Sequence, residues 1–289
     1  MAKYKALAVT TRYWRPRTDY LQEIIDSLMG KVADGDFVVV SEKAVSTASG
    51  NVIDESSTKP NLNARFIATH WMRAVWGHFL GRLCRFRGSM LRNLREYPLE
   101  MGSRHKQVVL QHGGLLQALM FGSEYGIDGS NLAYTYVSLP LKNAQQIAKR
   151  IRKQILRTLH KKVCVMITDT DKTYSFRSFH FTPRPDPIGG VHSFDGIFVY
   201  LVGRMLKLRR RATPIAAAGC RLPAETALQI AQIANRARGS GAGTTVWDMA
   251  EKFRTDLDAV SWEMLETVRH KPIVLVRTEK EQSTHGTSS

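Results

Sequence analysis

Asp34-Gly35-Asp36-Phe37-Val38-Val39-Val40-Ser41-Glu42-Lys43 sets the frame for the chain. Gly35 and Asp36 turn the backbone, four apolar residues make a strand, and the strand ends in a hydroxyl and an amine. Two later segments share that grammar. Gly126-Ile127-Asp128-Gly129-Ser130-Asn131 and Ile167-Thr168-Asp169-Thr170 each place a carboxylate among small hydroxyl or amide side chains where an apolar run stops. Such positions let a protein built of strands and helices offer carboxylates to a metal-bound phosphate. The three segments together point to a nucleotide-dependent enzyme.

Outward from this frame, residues 4–10 read as a first strand and residues 19–29 as an amphipathic helix, with Leu21, Ile24, Ile25 and Leu28 on one stripe. Residues 63–94 form a long helical stretch whose aromatics, including Trp71, Trp76 and Phe79, are expected in a core or a dimer interface. Residues 108–110 read as a short strand, His112-Gly113-Gly114 as a turn, and 115–121 as a buried apolar segment. A strand is expected at 134–139, ended by Pro140, and a helix at 144–160 with a basic exposed face. The apolar strand 163–167 delivers Asp169. The proline- and glycine-rich segment 182–190 is the best internal boundary. It divides an N-terminal lobe, 1–182, which carries the motifs, from a C-terminal lobe, 183–278, the two intertwined as one domain. In the second lobe, 223–237 reads as a helix, 238–245 as a glycine-rich loop and 246–253 as a last helical region; 279–289 reads as a disordered polar tail.

With 289 residues, 43% hydrophobic and 23% charged, the chain has a globular composition and apolar runs far shorter than the roughly 20 residues of a membrane span. The N-terminus lacks the pattern of a signal peptide. Cys84, Cys164 and Cys220 are widely spaced with no CxxC pair, so neither a disulfide framework nor a zinc site is expected, and the reading is a cytoplasmic protein. The formal net charge of +17 has two readings: solvated basic faces, or attraction for a polyanion such as a nucleotide or, less expected, nucleic acid.

Asp128 and Asp169 are the candidate ligands for magnesium or manganese, with Thr170 and Ser130 adding hydroxyls. The competing reading makes Asp128 the acceptor of an Asx turn and Asp169 a cap. Ser41, Lys43 and Ser46 follow the first central strand, where Lys43 neutralises phosphate charge or simply faces solvent. The loop 239–245 has glycines that let a backbone approach an anion, but it lacks the Lys-Ser/Thr ending of a Walker A loop. His112, His180 and His192 have no catalytic or metal-ligand spacing, and no nucleophile elbow occurs.

The three segments resemble those of a known family. Residues 34–46 resemble its "DGDVVVVTSKIVSKAEG" opening, 126–131 its "GVDxSN" motif and 167–170 its "ISDT" motif. These are the motifs of the coenzyme F420-0:L-glutamate ligases, or gamma-glutamyl ligases. The resemblance implies an α+β fold of mixed and antiparallel sheets with packed helices, in an intertwined homodimer. It implies a GTP-dependent enzyme, using Mg2+ or Mn2+ and K+, that joins L-glutamate to a deazaflavin carboxylate through an acyl phosphate. On this analogy Asp128, Asp169 and Thr170 hold metal, and Asp128, Asp169 and Lys43 serve catalysis. Ser41, Lys43, Ser46, Ser130, Asn131, Thr170 and Lys172 line the nucleotide or substrate site. The family continues after its Asp-Thr pair with Gly-Arg-Pro-aromatic-Arg, whereas this chain has Asp171-Lys172-Thr173-Tyr174-Ser175-Phe176-Arg177, and Lys172 stands as the candidate replacement charge. The segment 65–107 has no place in the family pattern. These departures motivate the alternative of a family-like binding protein for nucleotide, deazaflavin or RNA.

Overall fold

The Val38-Val39-Val40 run occupies the interior of a seven-stranded mixed sheet in the computed structural model, which describes residues 3–122, 124–194 and 196–279. In chain order the strands are β1 (Tyr4–Thr11), β2 (Phe37–Ser41), β3 (Val52–Asp54), β4 (Tyr136–Ser138), β5 (Cys164–Phe176), β6 (Phe179–Thr182), β7 (His192–Ser193), β8 (Arg209–Ala218) and β9 (His270–Thr278). β3 and β4 form a separate antiparallel pair. In the large sheet β9 lies between β1 and β2, antiparallel to both, and β2 runs parallel to β5. β5 outruns β2: its far half pairs with β6, while β8 follows β5 along its other edge. Strands from both sides of residue 182 thus interleave in one sheet. The α+β class with mixed sheets and packed helices is what the structure shows.

The central strands are continuous apolar runs because both their faces are covered. Val38, Val40, Val165, Ile167, Ile273 and Leu275 pack on one side with the helices Tyr20–Leu28 and Ala144–Leu159. The alternate residues Val39, Met166, Val274 and Val276 pack on the other side against the helix Ala224–Arg238. Complete burial of each such side chain contributes about 1.5–3 kcal/mol, which fixes the register. Asp19 caps the first helix by accepting from the Leu21 and Gln22 N–H groups.

A third layer is helical. Residues Leu62–Phe66 and the π-helical stretch Ile67–Leu80 lead to the helices Gly88–Arg95 and Leu99–Gly113, which share a core with Ile127, Val137, Ile197 and Tyr200. Trp76 is buried there, and its indole N–H, like that of Trp71, donates to the Leu119 carbonyl at 2.8 Å. Phe79 and Leu83 stay exposed.

Several sequence expectations are corrected. Residues 108–110 are helical, within Leu99–Gly113: Val108 and Val109 share the buried face with Gly102, Ser103 and Lys106, and the 3.6-residue period overrides β propensity. Leu115 and Leu116 are exposed, although Ala118 and Met120 are buried. β5 does not end at Ile167. Pairing with β8 carries it to Phe176, so Asp169 and Thr170 lie within a strand, at an irregularity in the β5–β8 register between 169 and 172. Cys164 and Cys220 are disulfide-bonded, with Cα atoms 5.5 Å apart. The antiparallel register that opposes Val165 to Ala218 brings these distant residues together. Of the expected tail, residues 280–289 lie outside the described residues. Among the described residues no helix is long and apolar enough to cross a membrane.

Candidate functional site

Where β2 ends, Ser41 begins the helix Glu42–Ala48, so Lys43 leaves its first turn toward a cleft of about 630 Å³. The Lys43 ammonium bonds the Asp128 carboxylate, the Ser130 hydroxyl (2.7 Å) and the Ser130 carbonyl (2.9 Å). Asp128 also accepts from the Ser130 N–H at 2.7 Å, which is the Asx turn expected of that motif. Asp128 therefore shapes its turn and meets Lys43 at once. The Asx-turn reading holds, and the first and second sequence segments converge on one constellation.

Thr170, Asp171 and Lys172 line the same cleft. Burial lowers the Lys172 pKa, opposed by Asp171 and Asp169. Asp169 itself turns away from the cleft. Its carboxylate accepts from Arg184 Nε at 2.8 Å and from the Asp171 N–H at 3.3 Å. Arg184 is only 2% exposed and bonds Glu42 through Nη2 at 2.5 Å. Burial pushes Glu42 up to about 7, against the pull of Arg184. Burial also opposes the Arg184 charge, but Glu42 and Asp169 outweigh it and raise its pKa.

Arg184 is the residue that sequence reasoning passes over. It stands in an Arg-Pro pair, Arg184-Pro185, beyond the β5–β6 hairpin, and it returns in space to Asp169. A guanidinium thus reaches Asp169 from 15 residues further along the chain, while Lys172 takes a place on the cleft wall. The Arg-Pro dipeptide is the available signal.

Two other expected residues have structural partners. Ser46 is fully buried, and its hydroxyl donates to the Leu139 carbonyl at 2.5 Å. Asn131, in left-handed backbone geometry, ties down the glycine-rich loop: its side chain donates to the Gly243 carbonyl at 2.8 Å and accepts from the Ala242 N–H at 2.6 Å. Other loop amides are also taken, since the Thr244 and Thr245 N–H groups bond Asp248 of the following helix and the Gly243 N–H bonds the Ser240 carbonyl. His112 is exposed, His180 bonds the Ser175 hydroxyl, and His192 stacks on Phe179, all structural positions.

The helical layer supplies the facing wall, with Tyr97, Phe121, Glu124 and His105, and Trp247 from the later helix Val246–Phe253 joins it. Beneath this wall lies a buried charge cluster. His105 bridges Glu55 (2.8 Å) and Glu124 (3.2 Å), and the fully buried Lys106 bonds Glu124 at 2.9 Å. Burial disfavours the His105 charge, yet Glu55 and Glu124 prevail and push it up to about 10. His270, which stacks on Tyr13 with ring centroids 4.4 Å apart, is pushed by burial down to about 4.

The oxygens that reach the cleft, from Asp128, Thr170 and Asp171, are hard donors that fit magnesium or manganese, an ion that takes one or two carboxylates and completes its shell with water and phosphate. Among the described residues no three His, Cys, Asp or Glu side chains form a metal-binding group.

Comparison with known proteins matches residues 8–180 to the family described as F420-0:Gamma-glutamyl ligase. An uncharacterized protein of Methanocaldococcus jannaschii is 34% identical over 96% of this chain and 97% of its own length. The coenzyme F420:L-glutamate ligase of Archaeoglobus fulgidus is 29% identical over 156 residues, 53% of this chain and 54% of that protein. The family match spans Lys43, Asp128, Asp169 and the whole helical layer, and ends before Arg184. With its three motifs, its mixed sheet and this match in agreement, the chain belongs to the F420-0:gamma-glutamyl ligase family.

Proposed function

We propose that this protein is a GTP- and divalent-metal-dependent ligase that forms an amide between L-glutamate and the carboxylate of coenzyme F420-0 or a closely related acceptor. The observation that carries the reading is the Lys43–Asp128–Ser130 constellation at the cleft, built from two of the segments that characterise the family. In the proposed reaction an acceptor carboxylate oxygen attacks the γ-phosphorus of GTP, GDP departs, and an acyl phosphate results. The glutamate amine then attacks the acyl carbon, phosphate leaves with the bonding electron pair, and the amine loses a proton. Such chemistry depends on positioning and charge neutralisation. Lys43, held by Asp128 and Ser130, offers a fixed positive charge for this purpose. Mg2+ or Mn2+ would be held by Asp128 and Thr170 with Asp169 behind them, K+ assisting, and would neutralise phosphate charge. The aromatic wall of Tyr97, Phe121 and Trp247 supports a planar acceptor such as a deazaflavin. A homodimer belongs to the same proposal.

The test is an assay with GTP, manganese, L-glutamate and F420-0 that follows GDP release and product mass. A product heavier by one glutamyl residue with stoichiometric GDP is expected. Lys43→Gln and Asp128→Asn should each lower kcat/KM at least 100-fold with melting temperatures near that of the parent. Undiminished turnover in both variants, or GTP hydrolysis with no glutamyl product, refutes the assignment.

A further inference from the structure

Arg238 is the last residue of the helix Ala224–Arg238, and Gly239, with φ of +75°, turns the chain away behind it. Its side chain lines the cleft, and Nη2 comes within 3.5 Å of the Thr168 hydroxyl on β5. Nε and Nη1 are buried and meet no hydrogen-bond acceptor among the described residues. Arg15, Arg152, Arg204 and Arg211 each leave one buried Nε without an acceptor; Arg238 leaves two donors so. Nor does it share in an ion pair among the described residues, whereas Arg184 and Arg211 each hold a carboxylate. Burial disfavours its charge and brings its pKa down to about 10, with Asp169 opposing. Asp169 is already bonded to Arg184.

A buried guanidinium with unused donors is costly, and native proteins leave few such groups without a partner or a purpose. Lys43 on the same cleft is committed to Asp128 and Ser130, and Arg184, buried behind it, to Glu42 and Asp169. The neighbouring glycine-rich loop does not take over the task, because the N–H groups of residues 242–245 are spent on Asn131, inside the loop and on Asp248. We propose that Arg238 is a specificity-determining residue that receives an oxyanion of a bound substrate, a carboxylate or a phosphate, where its guanidinium lines the cleft. A guanidinium carries donors only and matches the planar or tetrahedral spread of such oxygens, so the fit is to an anion rather than to a neutral group. Two sources share this chemistry: the carboxylates of L-glutamate and the phosphates of a nucleotide.

Identifying those two sources rests on the proposed ligase reading, whereas the anion site is testable without turnover. Thermal shifts of the full chain are measured with sodium pyrophosphate, with L-glutamate and with GTP, for the parent, Arg238→Met and Arg238→Lys. The parent should be stabilised by at least one probe. Arg238→Met should weaken that probe's binding at least tenfold while its unliganded melting temperature equals or exceeds the parent's, since a strained buried charge has gone. Arg238→Lys should fall between them. A response to pyrophosphate identifies phosphate as the bound group, and a response to L-glutamate alone identifies a carboxylate. Three results overturn the proposal: binding within twofold of the parent in Arg238→Met, a marked fall in its unliganded stability, or a parent that responds to no probe. A parent that responds to the anions but forms no glutamyl product overturns the ligase reading alone.

Discussion

Replacing Arg184 with methionine tests whether the fold depends on the charge that links its two halves. The guanidinium is 2% exposed, and it bonds Glu42, 3% exposed, and Asp169 in one bidentate bridge. Methionine keeps much of the side-chain volume but leaves the two carboxylates without the cation that bonds both. Breaking a buried ion pair by removing one partner costs about 3–5 kcal/mol. In a chain of this size that lowers the melting temperature by something on the order of 10 °C. The loss should depend on pH in a definite sense. The folded protein holds a proton on Glu42 up to about pH 7, whereas an unfolded glutamate releases it near 4.5, so this group's contribution declines as pH rises from 4.5 and levels off above 7. Without Arg184 the folded pKa rises further, and the variant goes on losing stability above pH 7 where the parent does not. Urea unfolding of both proteins at pH 6 and pH 8.5 reads the difference directly. The gap should be larger at pH 8.5, and Glu42→Gln added to Arg184→Met should close part of it. A variant within about 1 kcal/mol of the parent at pH 8.5, or a gap larger at pH 6, would refute the reasoning.

Asn131→Ala removes the bonds to Gly243, Ala242 and Ser240 that anchor the glycine-rich loop, and at about 1 kcal/mol each should cost about 1–3 kcal/mol. Amide exchange should quicken at residues 240–245 but not in the central strands; protection unchanged in the loop would show that Asn131 does not hold it. His270 is kept neutral by burial, with a folded pKa of about 4, so the stability it contributes is fully present above pH 6.5 and is lost as pH falls toward 4. A His270→Gln variant should show a flatter acid limb over that interval, and a curve parallel to the parent's would remove His270 from the account.

How much of this is legible in the sequence follows from the reach of each interaction. The run from Phe37 to Val40 declares a doubly buried strand because its neighbours along the chain have no polar face to offer. Lys43, Asp128 and Ser130 are legible because each sits at the end of an apolar element, where local pattern and site coincide. The motif singles out Asp169 but not its turn away from the cleft toward Arg184: the hairpin between them hides the contact from any spacing argument. Arg238 carries no signal beyond composition, as a basic residue at a helix end is ordinary. Val108 and Val109 mislead as a strand because three apolar residues in a row are too short to distinguish the two periods. The pairing of Cys164 with Cys220 depends on the β5–β8 register, which the chain does not announce.

The position of β9 also bears on how the protein is made. The last described strand lies between the first two, pairing Tyr4 with Thr278 and Phe37 with Val276, and Arg277 on it reaches the fully buried Asp36 that turns the chain into β2. During synthesis β1 and β2 leave the ribosome well before β9, the neighbour they share, is made. Until then their apolar faces and unpaired edges stay open, and contacts of such long sequence separation make folding slow. A nascent chain therefore carries both strands without the partner between them until β9 emerges, so the yield of native protein should be more sensitive to truncation ahead of β9 than to changes in the helical layer.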